Sequence, residues 1–194
     1  MDLLPRIWVR DIPSTYVGPR GHAKMTLIEF RGIKPKVSSD AYVSPRATLI
    51  GEVEVGDGSS IWENAVLRGD MGLIKVGKKS SIQDNCTLHS NIRGRCLVGD
   101  FVTVGHNSVV HGSTIHDYVL VGMNSTLLEG TEIGPNTIIA AGSVVLEGEK
   151  TPPAVLLAGV PARPVRNLDD SDLAVIRFAA QAYTELVKLY KEES

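Results

Sequence analysis

Aromatic side chains are scarce in this 194-residue sequence, at 5% of the chain. A thick core built on large rings is therefore excluded, and burial has to come from repeated aliphatic layers. Cysteine is rarer still. Cys86 and Cys96 are too few to staple a chain of this length, so the expected setting is a reducing compartment, the cytoplasm. Neither sign of charge dominates: 20 Lys and Arg against 22 Asp and Glu leave a formal −2. That balance gives no electrostatic footprint for nucleic acid. No apolar run approaches the ~20 residues of a membrane span, so no membrane partner is expected. One domain or one elongated repeat unit fits the length.

Val, Ile, Leu and Gly are plentiful, and the aliphatic residues recur every six positions. The series opens with Val37, Val43, Leu49, Val55, Ile61 and Leu67 and closes with Ile133, Ile139 and Val145; all 18 members are aliphatic. The residue four further on is small or Val in 15 of the 18, which suits a crowded inward angle. Gly follows the aliphatic position at Gly56, Gly77, Gly99, Gly105, Gly122 and Gly134, where a backbone corner is expected to use its φ freedom.

A period of six fits neither the 3.6 of a helix nor the alternation of a long strand. It fits a short strand followed by a tight corner. Three such units close a triangular coil, and coils stack as parallel β-structure about 4.8 Å apart. The predicted fold class is all-β: a parallel β-helix of about six triangular coils over residues 25–150, capped and flanked by one α-helix. Residues 151–194 read as a Pro-rich connection and then that helix. Asp169-Asp170-Ser171-Asp172 signals its start, and Leu173, Ile176, Ala180, Tyr183, Val187 and Tyr190 form its apolar stripe. Residues 1–24 lack the apolar core of a signal peptide and read as an N-terminal extension, either disordered or held at an interface. Breaks in the register at 67–76 and 88–98 predict loops extruded from corners, where function concentrates.

The histidines fall in register with the repeat. His89 follows Leu88 and His111 follows Val110, one complete coil apart, so they stack on one face and can share a metal ion. His106 is two positions after Val104, at the corner where that face begins. Roughly 16 Å of extended chain separates His106 from His111, whereas ligands of one zinc need Cα atoms within about 13 Å. Within one chain His106 misses. Three prisms packed with parallel axes would bring the corner of one chain to the end of its neighbour's face, giving three sites per homotrimer. Three neutral imidazoles with an open fourth position make the catalytic type of zinc site. His22, in the extension, and His116, on another face, read as ordinary surface residues.

Further polar residues share these columns. Arg68 precedes His89 by one coil, with Asp70 beside it, and Asp84 precedes His106 by one coil. An Arg and an Asp at a subunit junction suit a cross-chain ion pair. Gln83 offers a neutral amide that can orient water or substrate near a metal. Cys86 occupies an inward small position, and Cys96 falls in the second predicted loop.

Leu67-Arg68-Gly69-Asp70, Ile82-Gln83-Asp84-Asn85 and the run from Val104-Gly105-His106 to Val110-His111-Gly112, set in hexads, resemble the γ-class carbonic anhydrases over about residues 25–190. The resemblance implies a left-handed β-helix and a homotrimer. It implies zinc, with iron(II) or cobalt as alternatives, on His89, His106 and His111 across the subunit interface. By the same comparison Gln83 hydrogen-bonds water on the metal, Arg68 and Asp70 bridge chains, and Tyr183 lies near the site. The implied activity is reversible hydration of carbon dioxide to bicarbonate. Active members resemble one another in a loop glutamate and a second glutamate after the Arg-Gly-Asp segment; here the loop carries Asn91, Arg93 and Arg95, and Met71 follows Asp70. Slow, buffer-dependent turnover is the consequence. Two other readings stay open: a hexapeptide acyltransferase or thioesterase acting on acyl-CoA, and a non-catalytic metal-binding scaffold subunit.

Overall fold

The computed structural model describes residues 26–192; the extension expected at residues 1–24 lies outside the described residues. The chain winds into a parallel β-solenoid of about seven turns with a helix at its C-terminal end. One face is the ladder Tyr42–Val43, Ser60–Ile61, Ser81–Ile82, Thr103–Val104, Leu120–Val121, Ile138–Ile139 and Val155–Gly159. The second stacks the first halves of Thr48–Val55 and Val66–Val76 with Thr87–His89, Val109–His111, Thr126–Leu127 and Val144–Val145. The third stacks Lys36–Val37 and the second halves of those long strands with Arg95–Val98, Thr114–Ile115 and Glu132–Ile133.

Neighbouring strands pair in parallel; the antiparallel exception is Val155–Gly159 with Ala162–Asn167, which folds back over the last coil. Strands at both ends lengthen the solenoid beyond the hexads. Thr26–Ile28 pairs with the start of Thr48–Val55, and Val155–Gly159 pairs with Ile138–Ile139 inside the stretch expected to be a Pro-rich connection.

The inward positions are dry. Leu49, Ile61, Leu67, Ile82, Leu88, Leu127, Ile133 and Ile139 have no solvent exposure, and each such burial contributes roughly 1.5–3 kcal/mol. At the small positions, serine hydroxyls bond across coils: Ser59 Oγ donates to the Gly77 carbonyl at 2.7 Å, Ser80 to Gly99 at 2.8 Å and Ser108 to Gly122 at 3.0 Å. A small polar residue there satisfies itself inside the wall.

The six corner glycines work differently from the expectation. None has a positive φ. They are needed for close approach: a Cβ on Gly122 would lie 2.4 Å from the Ala141 nitrogen and 2.6 Å from the Ile139 oxygen, both backbone atoms of the next coil. The left-handed conformation instead recurs two residues later at Asn64, Asn85, Asn107, Asn124 and Asn136, where asparagine is the side chain that tolerates it best.

The break at 67–76 is not an extruded loop. Val66–Val76 is a continuous strand that turns a corner against Thr48–Val55; its register runs from Gly51↔Gly69 to Val53↔Ile74, so the four residues from Asp70 to Leu73 bulge opposite the single Glu52. The second break shrinks to residues 90–94, because Arg95 already starts a strand. Cys96 therefore sits in the core opposite Ile74 rather than in a loop.

The helix Asp170–Glu192 is capped by Asp169, whose carboxylate accepts from the Ser171 and Asp172 amides at 2.9 and 3.1 Å, while Asp172 accepts from the Asp169 amide at 2.9 Å. It buries Ile176, Ala180 and Val187 along the first face. Val187, Tyr183 and Leu186 pack against Tyr42 and Trp62.

Two predictions follow from this wall and core. Gly122→Ala lowers stability by roughly 1–3 kcal/mol in urea denaturation; an unchanged midpoint would contradict backbone contact at that corner. Burial pushes the Cys86 and Cys96 thiols up to about 11 and about 12, so a thiol reagent at pH 8 labels neither in native protein and both in denaturant. Rapid native labelling of either would contradict their placement.

Candidate metal centre

The register of the second face stacks Arg68, His89 and His111 directly over one another. His89 and His111 follow fully buried Leu88 and Val110, so alternation along the strand sends their rings outward. His89 Nδ1 and His111 Nε2 are 3.3 Å apart. Two nitrogens on one tetrahedral zinc, each at 2.0–2.1 Å, are separated by about 3.3 Å. The pair thus presents one edge of a tetrahedral coordination shell.

The other ring nitrogen of His89 is fixed as well. Nε2 lies 3.2 Å from Asp70 Oδ1, and Arg68 Nη1 donates to both Asp70 oxygens at 3.0 and 2.8 Å. A carboxylate on the far nitrogen sets the tautomer of a ligating imidazole and leaves the near nitrogen its lone pair. Burial, reinforced by Arg68 and His111 and opposed by Asp70, holds His89 below the usual imidazole range, so the neutral form that binds metal is favoured. Burial works against the Asp70 carboxylate, but hydrogen bonds from Arg68 and His89 outweigh it and keep its pKa below the usual value. Arg68 and Asp70 thus pair within one chain; the cross-chain pair expected of them is not needed to explain their contact.

His106 stands at a different corner. Its Nδ1 is 2.8 Å from Asp84 Oδ2, the same imidazole–carboxylate pattern, which reserves Nε2 for a further partner. Gln83, buried, accepts a hydrogen bond from the His106 backbone amide at 3.1 Å. The Tyr183 ring packs edge-on to Trp62 at 5.6 Å, and burial with the Asp84 carboxylate nearby raises its phenol. Tyr183 therefore belongs with Asp84 and His106. Among the described residues of one chain, no three His, Cys, Asp or Glu side chains gather into a metal-binding group.

The structure adds two acids that sequence reasoning passed over. Glu63 continues the column of Asp84 and His106 one coil earlier, and one of its oxygens is buried without a hydrogen-bond partner among the described residues. Glu129, from the coil beyond His111, accepts a hydrogen bond from Asn91 in the loop after His89. The hexad register carried both signals, since each acid lies two positions after an inward residue.

Comparison with known proteins agrees with the fold. The sequence profile of the bacterial transferase hexapeptide (six repeats) family matches residues 112–147. The chain is 40% identical over 175 residues to gamma carbonic anhydrase 2, mitochondrial, of Arabidopsis thaliana; the match covers 87% of this chain and 63% of that protein, so the chain spans less than two thirds of that relative's length. It is 36% identical over 162 residues to a carbonic anhydrase of Geobacillus kaustophilus, covering 84% of this chain and 89% of the relative. A solved hexapeptide transferase family protein from Anaplasma phagocytophilum superposes with a TM-score of 0.82 at 33% identity, covering 85% of this chain and 98% of that one. The hexad solenoid, the paired histidines on one face and relatives this similar over most of the length make the chain a member of the γ-class carbonic anhydrase family.

Proposed function

We propose that the protein catalyses the reversible hydration of carbon dioxide to bicarbonate at metal sites between the chains of a homotrimer. The observation that carries this reading is the 3.3 Å separation of His89 Nδ1 and His111 Nε2, the spacing that two nitrogens on one tetrahedral zinc keep. His106 of a neighbouring chain is the third ligand. Zinc suits three imidazoles, with iron(II) or cobalt as alternatives.

The three faces support a trimer. The first face is packed by the helix along Tyr42–Val43, Ser60–Ile61, Ser81–Ile82 and Thr103–Val104, and the third points Lys36, Glu54, Lys75 and Glu132 outward. The second carries Val66, Val109 and Val144 around its histidines, with Val109 and Leu146 exposed in the single chain. An uncovered apolar face beside a half-built site is suited to burial against a second copy.

When bound, the metal supplies an activated hydroxide near neutral pH. The chain's own part is to hold that chemistry in place. Asp70 keeps the His89 proton on Nε2, Arg68 keeps Asp70 ionised, and Asp84 keeps the His106 proton on Nδ1. Gln83 offers a neutral amide for water or bicarbonate, and Tyr183 remains a protonated phenol beside Asp84. An acyl-transfer reading uses one histidine as general base and leaves the pairing of His89 with His111 without a role.

Stopped-flow hydration of carbon dioxide by metal-loaded protein in strong buffer tests the proposal. Wild type is expected to turn over, and His111→Ala to lose both metal and activity. Asp70→Asn, which keeps the shape but not the charge, is expected to weaken metal affinity by roughly 10–100-fold. Metal-loaded protein that leaves carbon dioxide unhydrated while consuming acyl-CoA would refute the reading.

A further inference from the structure

Hydration of carbon dioxide releases one proton per turnover, and a base near the centre has to carry it away. The loop after His89 is Ser90-Asn91-Ile92-Arg93-Gly94, which holds no such base. A carboxylate reaches it from elsewhere. Half-buried Glu129 accepts a hydrogen bond through Oε1 from the Asn91 side-chain amide.

The path is set by the register. Thr126–Leu127 pairs with Val109–Val110, and Val109–His111 pairs with Thr87–His89. Glu129 therefore starts one coil beyond His111 and folds back past it to the loop that leaves His89. On the way it crosses Gly112. A Cβ on Gly112 would lie 3.1 Å from Glu129 Cγ and 3.5 Å from its Cα, and Gly112 has a φ of +58°. Glycine gives both the left-handed turn and the clearance. Gly112 adjoins His111, and Asn91 lies two residues from His89, at most about 7 Å along the chain. The carboxylate is thus anchored by a residue two positions from His89, and its side chain passes beside the residue next to His111.

We infer that Glu129 is the proton acceptor of this site, an inference that rests on the hydration reading, and that Asn91 is its positioning residue. Carbon dioxide and water yield bicarbonate and a proton. The proton passes through water to Glu129 Oε2, the oxygen Asn91 does not engage, and then to a buffer base. Nothing is oxidised or reduced.

The test is Glu129→Gln in the zinc-loaded protein. In weak buffer kcat is expected to fall roughly 10–100-fold, while kcat/KM for carbon dioxide stays within about twofold and strong imidazole buffer restores kcat. Asn91→Ala is expected to show the same pattern with a smaller loss. A readout independent of turnover is the Asn91 side-chain amide resonance of 15N-labelled zinc-loaded protein. It is expected to differ between wild type and Glu129→Gln, because the carboxylate oxygen that amide donates to is replaced. Wild-type kcat for Glu129→Gln in weak buffer, or an Asn91 resonance unchanged by that substitution, overturns the relay and leaves the hydration reading standing. Wild-type protein inactive even in strong buffer overturns both.

Discussion

Everything in this molecule depends on the parallel hydrogen-bond ladder between coils. Backbone amides donate to carbonyls of the adjacent coil, as in Gln83 N to Val104 O at 3.0 Å and Gly105 N to Val121 O at 2.8 Å toward the next coil, and Gly112 N to His89 O at 2.8 Å toward the preceding one. That ladder fixes the register residue by residue, and a slip of one would turn every inward aliphatic residue outward. Outward residues one coil apart are consequently held about 4.8 Å apart at Cα. Two imidazoles at such positions need no loop to bring them together.

The electrostatics of the column follow from the same stacking. Arg68, His89 and His111 would repel if all were charged. The bulge that projects Asp70 places an anion against Arg68 and His89, and burial keeps His89 neutral. An anion set against Arg68 and His89 lets this column pack at low cost where a run of cations could not. The same carboxylate–imidazole pairing recurs at Asp84 and His106 on the other edge of the face, so the two halves of the proposed site are prepared alike although one chain does not join them.

Much of this was legible in the sequence. The inward residue of every coil, the stacking of His89 on His111 and of Asp84 on His106, and the helix with its Asp169 cap could be read from spacing and residue type alone, because the register is rigid. The failures occurred where the chain departs from six. The insertion before Val76 became a bulge in a continuous strand, which hid the contact of Asp70 with His89, and the loop before Val98 is shorter than its break in register, which hid the burial of Cys96. Proline in 151–164 concealed a further strand, since Val155–Gly159 lies between the prolines. The corner glycines were assigned to φ freedom when backbone approach between coils is what excludes a side chain. The register marked Glu129 only as an outward acid two positions after Leu127; its contact with Asn91, two coils away, is a reach of the side chain that spacing does not encode.

The central claim is that the ion is gripped by His89 and His111 of one chain and His106 of the next. Mixed trimers test it most directly. Chains carrying His106→Ala are combined with chains carrying both His89→Ala and His111→Ala, and bound zinc is measured by elemental analysis. Neither parent alone has a complete site, whereas any closed ring of three that contains both kinds has a single intact junction. The account predicts little metal in each parent and about one ion per mixed trimer. Mixed trimers as empty as their parents, or full occupancy in His106→Ala alone, would contradict it.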